Sequence, residues 1–403
     1  MILSRLAQNL PGSEILQISG AIKERIATGE TIFNGTVGDF DPHIFPIPHT
    51  LELGIVEAYR QNHTNYPAAE GIRELRESIC AFTEHFQGIH YTPAEVLVGS
   101  GGRPLIYCAF KAIVDPGDRV VFPTPSWNNP YYVAMTGGIA VEISTKPEDH
   151  FMPTAENIIP HLKDATLLCL CSPLNPSGTV FSKKELSKIC EAVLTENFSR
   201  PGKRKKLYVL YDQMYSLLTY GETRHLDPVS LYPEMKDYTI YIDAISKSFA
   251  ATGVRVGWCL GPEFLLSKMK AILTHLGAWA PMAEQKAVAG YLTKTNEVKS
   301  FLRIFKTSLF DRLMEIYQGI QQLKAKGLPV DAIRPQAAIY LSVYIGLPTD
   351  QLLDSGIGLL PFSTFGAQEQ TGWYRLSVGT CRSEDIPAIL RRIEHAFTKQ
   401  AIL

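Results

Sequence analysis

No stretch of this 403-residue chain approaches the run of about 18 apolar residues that a membrane-spanning helix needs. The first residues, "MILSRLAQNLPGSEILQIS", lack an apolar segment long enough for a secretory signal. Neither sign of charge dominates: 39 Lys and Arg face 40 Asp and Glu, for a net charge of -1. That balance argues against nucleic acid or an anionic membrane as a partner. The basic run "RPGKRKK" (200–206) reads as a solvated loop before a strand, not as a nucleic-acid patch. The seven cysteines have no regular framework, and "CLC" at 169–171 lies in an apolar run. Free thiols in a reducing cytoplasm account for them, and no metal site is expected. There is also no internal repeat and no low-complexity segment.

What is present is an alternation. "EVLVGS" (95–100), "RVVFPTP" (119–125), "TLLCLCS" (166–172), "LYVLYD" (207–212), "TIYIDAIS" (239–246) and "VRVGWCLG" (254–261) read as strands. They are near-continuously apolar, as strands covered on both faces are. "PLIYCAFKAIV" and "SKKELSKICEAVL" read as helices between them, the second with Ser182 as N-cap. "DPGD" at 115–118 is a turn. The pattern predicts an α/β unit with a mostly parallel sheet. From about residue 290 a long amphipathic helix and a mixed region ending in "IPAILRRIEHAF" predict a smaller α+β domain. The expected division is an N-terminal segment at 1–45 packing with the small domain, a large domain at 46–289 and a small domain at 290–403.

Ligands of such sheets sit beyond the carboxyl ends of the strands. After "EVLVGS" comes "GGRP", a turn into a helix where backbone N–H groups can approach an anion. The other ends carry Trp127, Asn175, Asp212 with Tyr215 three residues on, and Lys247. Each has a bland structural reading: a tight turn needs glycine, and a tryptophan is more often core. Lys247 is the sharpest case. Its neighbours are Ser, Phe, Ala, Thr and Gly rather than charges, and a desolvated amine is a better nucleophile. Arg255 follows eight positions later.

Together these parts match one chemistry. A lysine forms a Schiff base with an aldehyde cofactor, and a carboxylate keeps a pyridine nitrogen protonated so that the ring draws in electrons. A phenol and an amide bond the ring oxygen, while a glycine turn and an arginine hold a phosphate. The cofactor these describe is pyridoxal 5′-phosphate.

In "NYPAAEGIRELRESI", "SPLNPSGTV", "YDQMYSLLTY", "SKSFAATGVRVGW" and "YRLSVGTC", taken in this order, the chain resembles the class I/II aminotransferases. These are fold type I pyridoxal-phosphate enzymes, and the likeness is to their aspartate aminotransferase family, over roughly residues 30 to 395. The resemblance implies Lys247 as the Schiff-base lysine and general base, Asp212 at the pyridine nitrogen, and Tyr215 and Asn175 at the ring oxygen. Trp127 would stack on the ring. Gly102, Arg103, Ser246 and Arg255 would lie at the phosphate, and Tyr66 would reach the phosphate of a neighbouring subunit in a homodimer. Arg375 would bind the substrate α-carboxylate, with Gly38, Trp127 and Asn175 lining the same place. "GAWAP" (277–281) is a candidate for the subunit interface.

Three departures from the family pattern stand out. The residue after the aspartate is usually glutamate and here is Gln213. A serine often found upstream of the lysine is here Ala244. Arg103 occupies the glycine turn, where some aspartate-specific members carry a lysine that reads the distal carboxylate. The implied reaction is transamination between an L-amino acid and a 2-oxo acid, 2-oxoglutarate being the expected acceptor and an aspartate- or glutamate-type donor the expected partner through Arg103. An aromatic donor is the rival, with Trp127, Trp279 and Tyr340 as pocket walls. A lyase or decarboxylase of the same fold, or a cofactor-sensing regulator, would be further alternatives.

Overall fold

The computed structural model describes residues 3–202, 204–367 and 371–398. Its centre is a seven-stranded sheet: β1 (Val96–Gly99), β2 (Arg119–Thr124), β3 (Ile139–Ser144), β4 (Ala165–Cys171), β5 (Tyr208–Asp212), β6 (Thr239–Ala244) and β7 (Gly257–Leu260). The spatial order is β1-β7-β6-β5-β4-β2-β3. The run from β6 to β3 is parallel throughout, and only β7 is antiparallel to its neighbours β1 and β6. The fold is thus α/β with a mostly parallel sheet. Six strands coincide with the apolar runs of the sequence. β3 was not expected, because Ile139, Ala140, Glu142 and Ser144 are exposed and the strand lies at the sheet edge.

Strands buried on both faces need helices on both, and helices Gly102–Ile113 and Lys183–Ser199 return the chain between parallel strands. The second opens with Ser182, whose Oγ accepts from the Glu185 N–H at 3.2 Å. Helix Thr295–Ala325 joins two cores. Val298 and Leu302 pack with the sheet residues, while Phe305 to Leu323 pack with a four-stranded antiparallel sheet that includes Tyr340–Ile345 and Trp373–Ser377. Phe33–Asn34 pairs in parallel with Ile357–Gly358, tying the N-terminal segment to this second core.

The basic run differs from a solvated loop at one residue. Arg200 is 4% exposed, pairs with Glu196 at 2.8 Å and donates to the Leu162 and Ala165 carbonyls. Lys205 pairs with Asp115 and Asp118 of the predicted turn, so the run closes on its own protein. Lys203 lies outside the described residues. All seven cysteines are free. Among the described residues, no helix is long and apolar enough to cross a membrane, and no cluster of three or more His, Cys, Asp or Glu is placed to hold a metal ion.

Candidate active site

The carboxyl ends of β4, β5 and β6 open onto one cavity of about 420 Å³. β6 ends at Ala244 and turns at once into a short helical segment, Ile245–Ser248, which projects Lys247 into that cavity. The Lys247 ammonium donates to the Gly38 carbonyl at 2.5 Å, and among the described residues it has no carboxylate within ion-pair distance. Burial pulls its pKa down to about 8; Asp39 opposes the shift, and Arg375, Arg103 and Arg255 add to it. The neutral, nucleophilic form is therefore far more populated near physiological pH than in an ordinary lysine, although still the minority form.

Asp212 ends β5 in the same cavity. Burial pushes its carboxyl up to about 6, against one opposing hydrogen bond from the Met214 N–H to Oδ1 at 3.1 Å. A carboxylate so placed is under-compensated and favours a cationic partner in the cavity. The Tyr215 hydroxyl lies 2.6 Å from that of Tyr340, both buried.

Arg375 comes from the antiparallel sheet and is 1% exposed. Its Nη1 donates to Asn175 Oδ1 at 2.9 Å and its Nη2 to the Thr36 carbonyl at 2.6 Å. Its Nε is buried without a partner. The guanidinium lies over the Tyr340 ring at 4.5 Å and beside Phe365 at 5.0 Å. Gly38 passes close by: a Cβ there would stand 2.9 Å from the Tyr340 hydroxyl and 3.6 Å from both Arg375 Nη atoms.

The start of helix Gly102–Ile113 opens on the cavity, where free backbone N–H groups would favour an anion. Arg255, at φ +61°, folds back to donate to the Thr252 carbonyl at 2.6 Å and the Ser100 carbonyl at 2.8 Å. Gly101 has φ +87°, and a Cβ on it would come within 2.2 Å of Arg255 Nη2. Only glycine lets the backbone and this guanidinium share the place. Ser246 is buried on the same cavity wall. Arg103 is exposed at the rim, its guanidinium 5.2 Å from the Trp127 ring centre.

Eleven of the twelve residues singled out from the sequence thus line one cavity. Tyr66 does not: it is 83% exposed and meets the Trp279 ring edge-on at 5.5 Å. Of the aromatics weighed as pocket walls, Trp127 and Tyr340 line the cavity and Trp279 does not. The sequence reading missed Thr36, Asp39 and Thr252, and also Ser19 and Lys23 of helix Glu14–Ala27, which all face the cavity. They come from segments with no strand-end signature, and only the fold brings them there.

A sequence model of the family described as aminotransferase class I and II matches residues 37–393. The chain is 28% identical to the aspartate aminotransferase of Geobacillus stearothermophilus, over 94% of this chain and 95% of that one. It is also 28% identical to the aspartate/prephenate aminotransferase of Thermus thermophilus, over 94% of each. Among solved structures, the Thermus thermophilus aspartate aminotransferase with maleate superposes with a TM-score of 0.88 at 26% identity, covering 98% of this chain and all of the other.

Proposed function

The chain belongs to the class I and II aminotransferases, and we propose that it moves an amino group between an aspartate- or glutamate-type amino acid and a 2-oxo acid such as 2-oxoglutarate, with pyridoxal 5′-phosphate held in the cavity around Lys247. The observation that carries this reading is the convergence on one cavity of a desolvated lysine, a buried carboxylate, a buried arginine with an unpartnered Nε and a glycine-walled anion cradle. Those donors fit the group: an amine for its aldehyde, an acid for its ring nitrogen, a cradle for its phosphate. When bound, pyridoxal phosphate supplies a reactive aldehyde and a ring that draws electrons from the substrate α-carbon.

The chain's own residues do the rest. Lys247 anchors the cofactor and then carries a proton to or from the substrate α-carbon. Asp212, ionised against a cation, holds the ring nitrogen protonated. Tyr215 and Asn175 orient the ring oxygen, and Trp127 covers the ring. Arg255, Ser246 and the backbone N–H groups at Gly102 and Arg103 hold the phosphate. Arg375 grips the α-carboxylate with its planar fork, which a lysine cannot do as well.

Side-chain choice rests on Arg103. Its guanidinium reaches the rim with no carboxylate within ion-pair distance among the described residues, so a distal carboxylate is its natural partner. Two relatives named for aspartate, and a Thermus thermophilus structure holding maleate, a dicarboxylate, support the same substrate class. The exposed Tyr66, and Trp279 with its buried, unpartnered Nε1, support a homodimer in which Tyr66 serves the partner's phosphate. The test is a panel of amino donors with 2-oxoglutarate, scored by the 2-oxo acid formed. Aspartate should lead; a product without the donor's α-carboxylate would make the enzyme a decarboxylase instead.

A further inference from the structure

A second buried acid stands behind Asp212. Asp243 lies on β6, one residue beyond Ile242, the register partner of Asp212 on β5. It is 4% exposed. Its Oδ1 accepts from the Ala244 N–H at 2.7 Å. Its Oδ2 faces three neutral donors at longer range: Ser216 Oγ at 3.3 Å, Gln87 Nε2 at 3.4 Å and Gln213 Nε2 at 3.5 Å. Among the described residues, no lysine or arginine pairs with it.

A buried carboxylate without a cation is costly, and asparagine would fill the same space without that cost. Burial pushes the Asp243 carboxyl up to about 7; the Ala244, Ser216 and Gln87 hydrogen bonds oppose the rise, and the charge of Asp212 adds to it. The network has a second half. Gln213, fully buried, donates to Gln87 Oε1 at 2.9 Å, and His225 Nε2 donates to Gln213 Oε1 at 3.1 Å. Burial pulls His225 down to about 4, with Asp227 opposing, so it stays neutral in the working range. The charged and titrating groups around Asp243 are Asp212 from the neighbouring strand and, beyond Gln87, Gln213 and Ser216, the His225, Asp227, Arg224 and Lys306 side chains, none of them paired with it; Gln87, Gln213 and Ser216 carry no charge. Gln87, Ser216 and His225 also line a separate cavity of about 270 Å³, roomy enough for water to exchange protons with the network.

We infer that Asp243 is a positioning residue for the cofactor site: its carboxylate supplies a second negative charge behind Asp212 and so strengthens the hold on a protonated ring nitrogen. The inference rests on the pyridoxal-phosphate reading given above. It also accounts for Gln213. Where the resemblance leads one to expect a glutamate after the aspartate, this chain has a neutral amide, and the acid stands across 3.5 Å on the neighbouring strand.

The test is the affinity of the apo-protein for pyridoxal phosphate, followed by absorbance at several pH values, in the wild type and in Asp243→Asn. The variant should bind about tenfold more weakly near pH 8.5, and the gap should close as pH falls through 7 and the wild-type carboxyl protonates. Asp243→Asn combined with Gln213→Glu returns an acid to the same buried cluster and should recover the affinity at high pH. Ser216→Ala keeps the charge but removes a donor to it, so the pH at which affinity strengthens should rise. That variant keeps the test open if Asp243→Asn does not fold. A loss in Asp243→Asn that is equal at every pH, no loss at all, or an unmoved profile in Ser216→Ala each overturns the inference. A wild-type protein that takes up no cofactor overturns the pyridoxal-phosphate reading as well.

Discussion

Arg375 and Asn175, 200 positions apart in the chain, meet through a buried hydrogen bond of 2.9 Å between Nη1 and Oδ1. The bond joins the antiparallel sheet to the loop after β4 and fixes the guanidinium plane. In the proposed role, a substrate carboxylate arriving there would find a donor already oriented, so little rotamer freedom would be lost on binding.

Arg375→Lys should therefore be far from conservative. An ammonium cannot bond Asn175, the Thr36 carbonyl and a carboxylate in one plane. Steady-state kinetics should show kcat/KM falling by about 100-fold or more for every amino donor, since about two charge-assisted bonds are lost or weakened. Cofactor affinity should hold. A donor-selective loss would mean that Arg375 reads the side chain instead.

Arg103→Ala probes the other end of the substrate. One charge-assisted bond of about 1.5–3 kcal/mol corresponds to a loss of roughly 10- to 150-fold for aspartate and glutamate. Phenylalanine should be nearly unaffected. A uniform loss across donors together with weaker cofactor binding would place Arg103 at the phosphate.

The amine makes a pH prediction. Lys247 is held at about 8, below the ordinary lysine value, because burial disfavours its charged form. Below that pH the protonated, unreactive form predominates; above it the neutral amine does. The rate at which apo-protein captures pyridoxal phosphate, read as visible absorbance, should rise with pH, with its midpoint near 8, and level off about one unit above that. A rate still climbing beyond about pH 10 would describe an ordinary solvated lysine.

Much of the fold was legible because strands covered on both faces must be apolar along their length, and six of the seven were. β3 was hidden by its edge position, which leaves four of its six residues exposed and breaks the apolar run with Glu142 and Ser144. The strand expected at 254–261 begins at Gly257, because Arg255 takes a left-handed turn to reach two backbone carbonyls. The cavity's strand-end residues could be picked out because the ends of parallel strands share one edge of the sheet. Thr36 and Phe365 reach Arg375 from segments remote in sequence, and nothing local marks them. Arg200 looked solvated inside a basic run, since its carbonyl partners lie on another segment. Asp243 read as one acid in an apolar strand; its neutral side-chain partners come from two other segments, one carrying Gln87 and one carrying Gln213 and Ser216.

Subunit mixing tests the proposed assembly. Tyr66→Ala and Lys247→Ala subunits, each impaired alone, should regain activity when reassembled together. If Tyr66 serves its partner, a mixed dimer contains one site with neither lesion. Activity no greater than the sum of the separate variants would place Tyr66 outside the site.

The central claim is that the Lys247 amine is the covalent anchor of the cofactor. Reduction of the loaded enzyme with borohydride fixes that bond, and mass mapping of the peptides locates it. The account predicts one pyridoxyl group per chain, on the peptide containing Lys247, and none in Lys247→Ala. A label on another lysine, or an unlabelled wild-type chain, would contradict it.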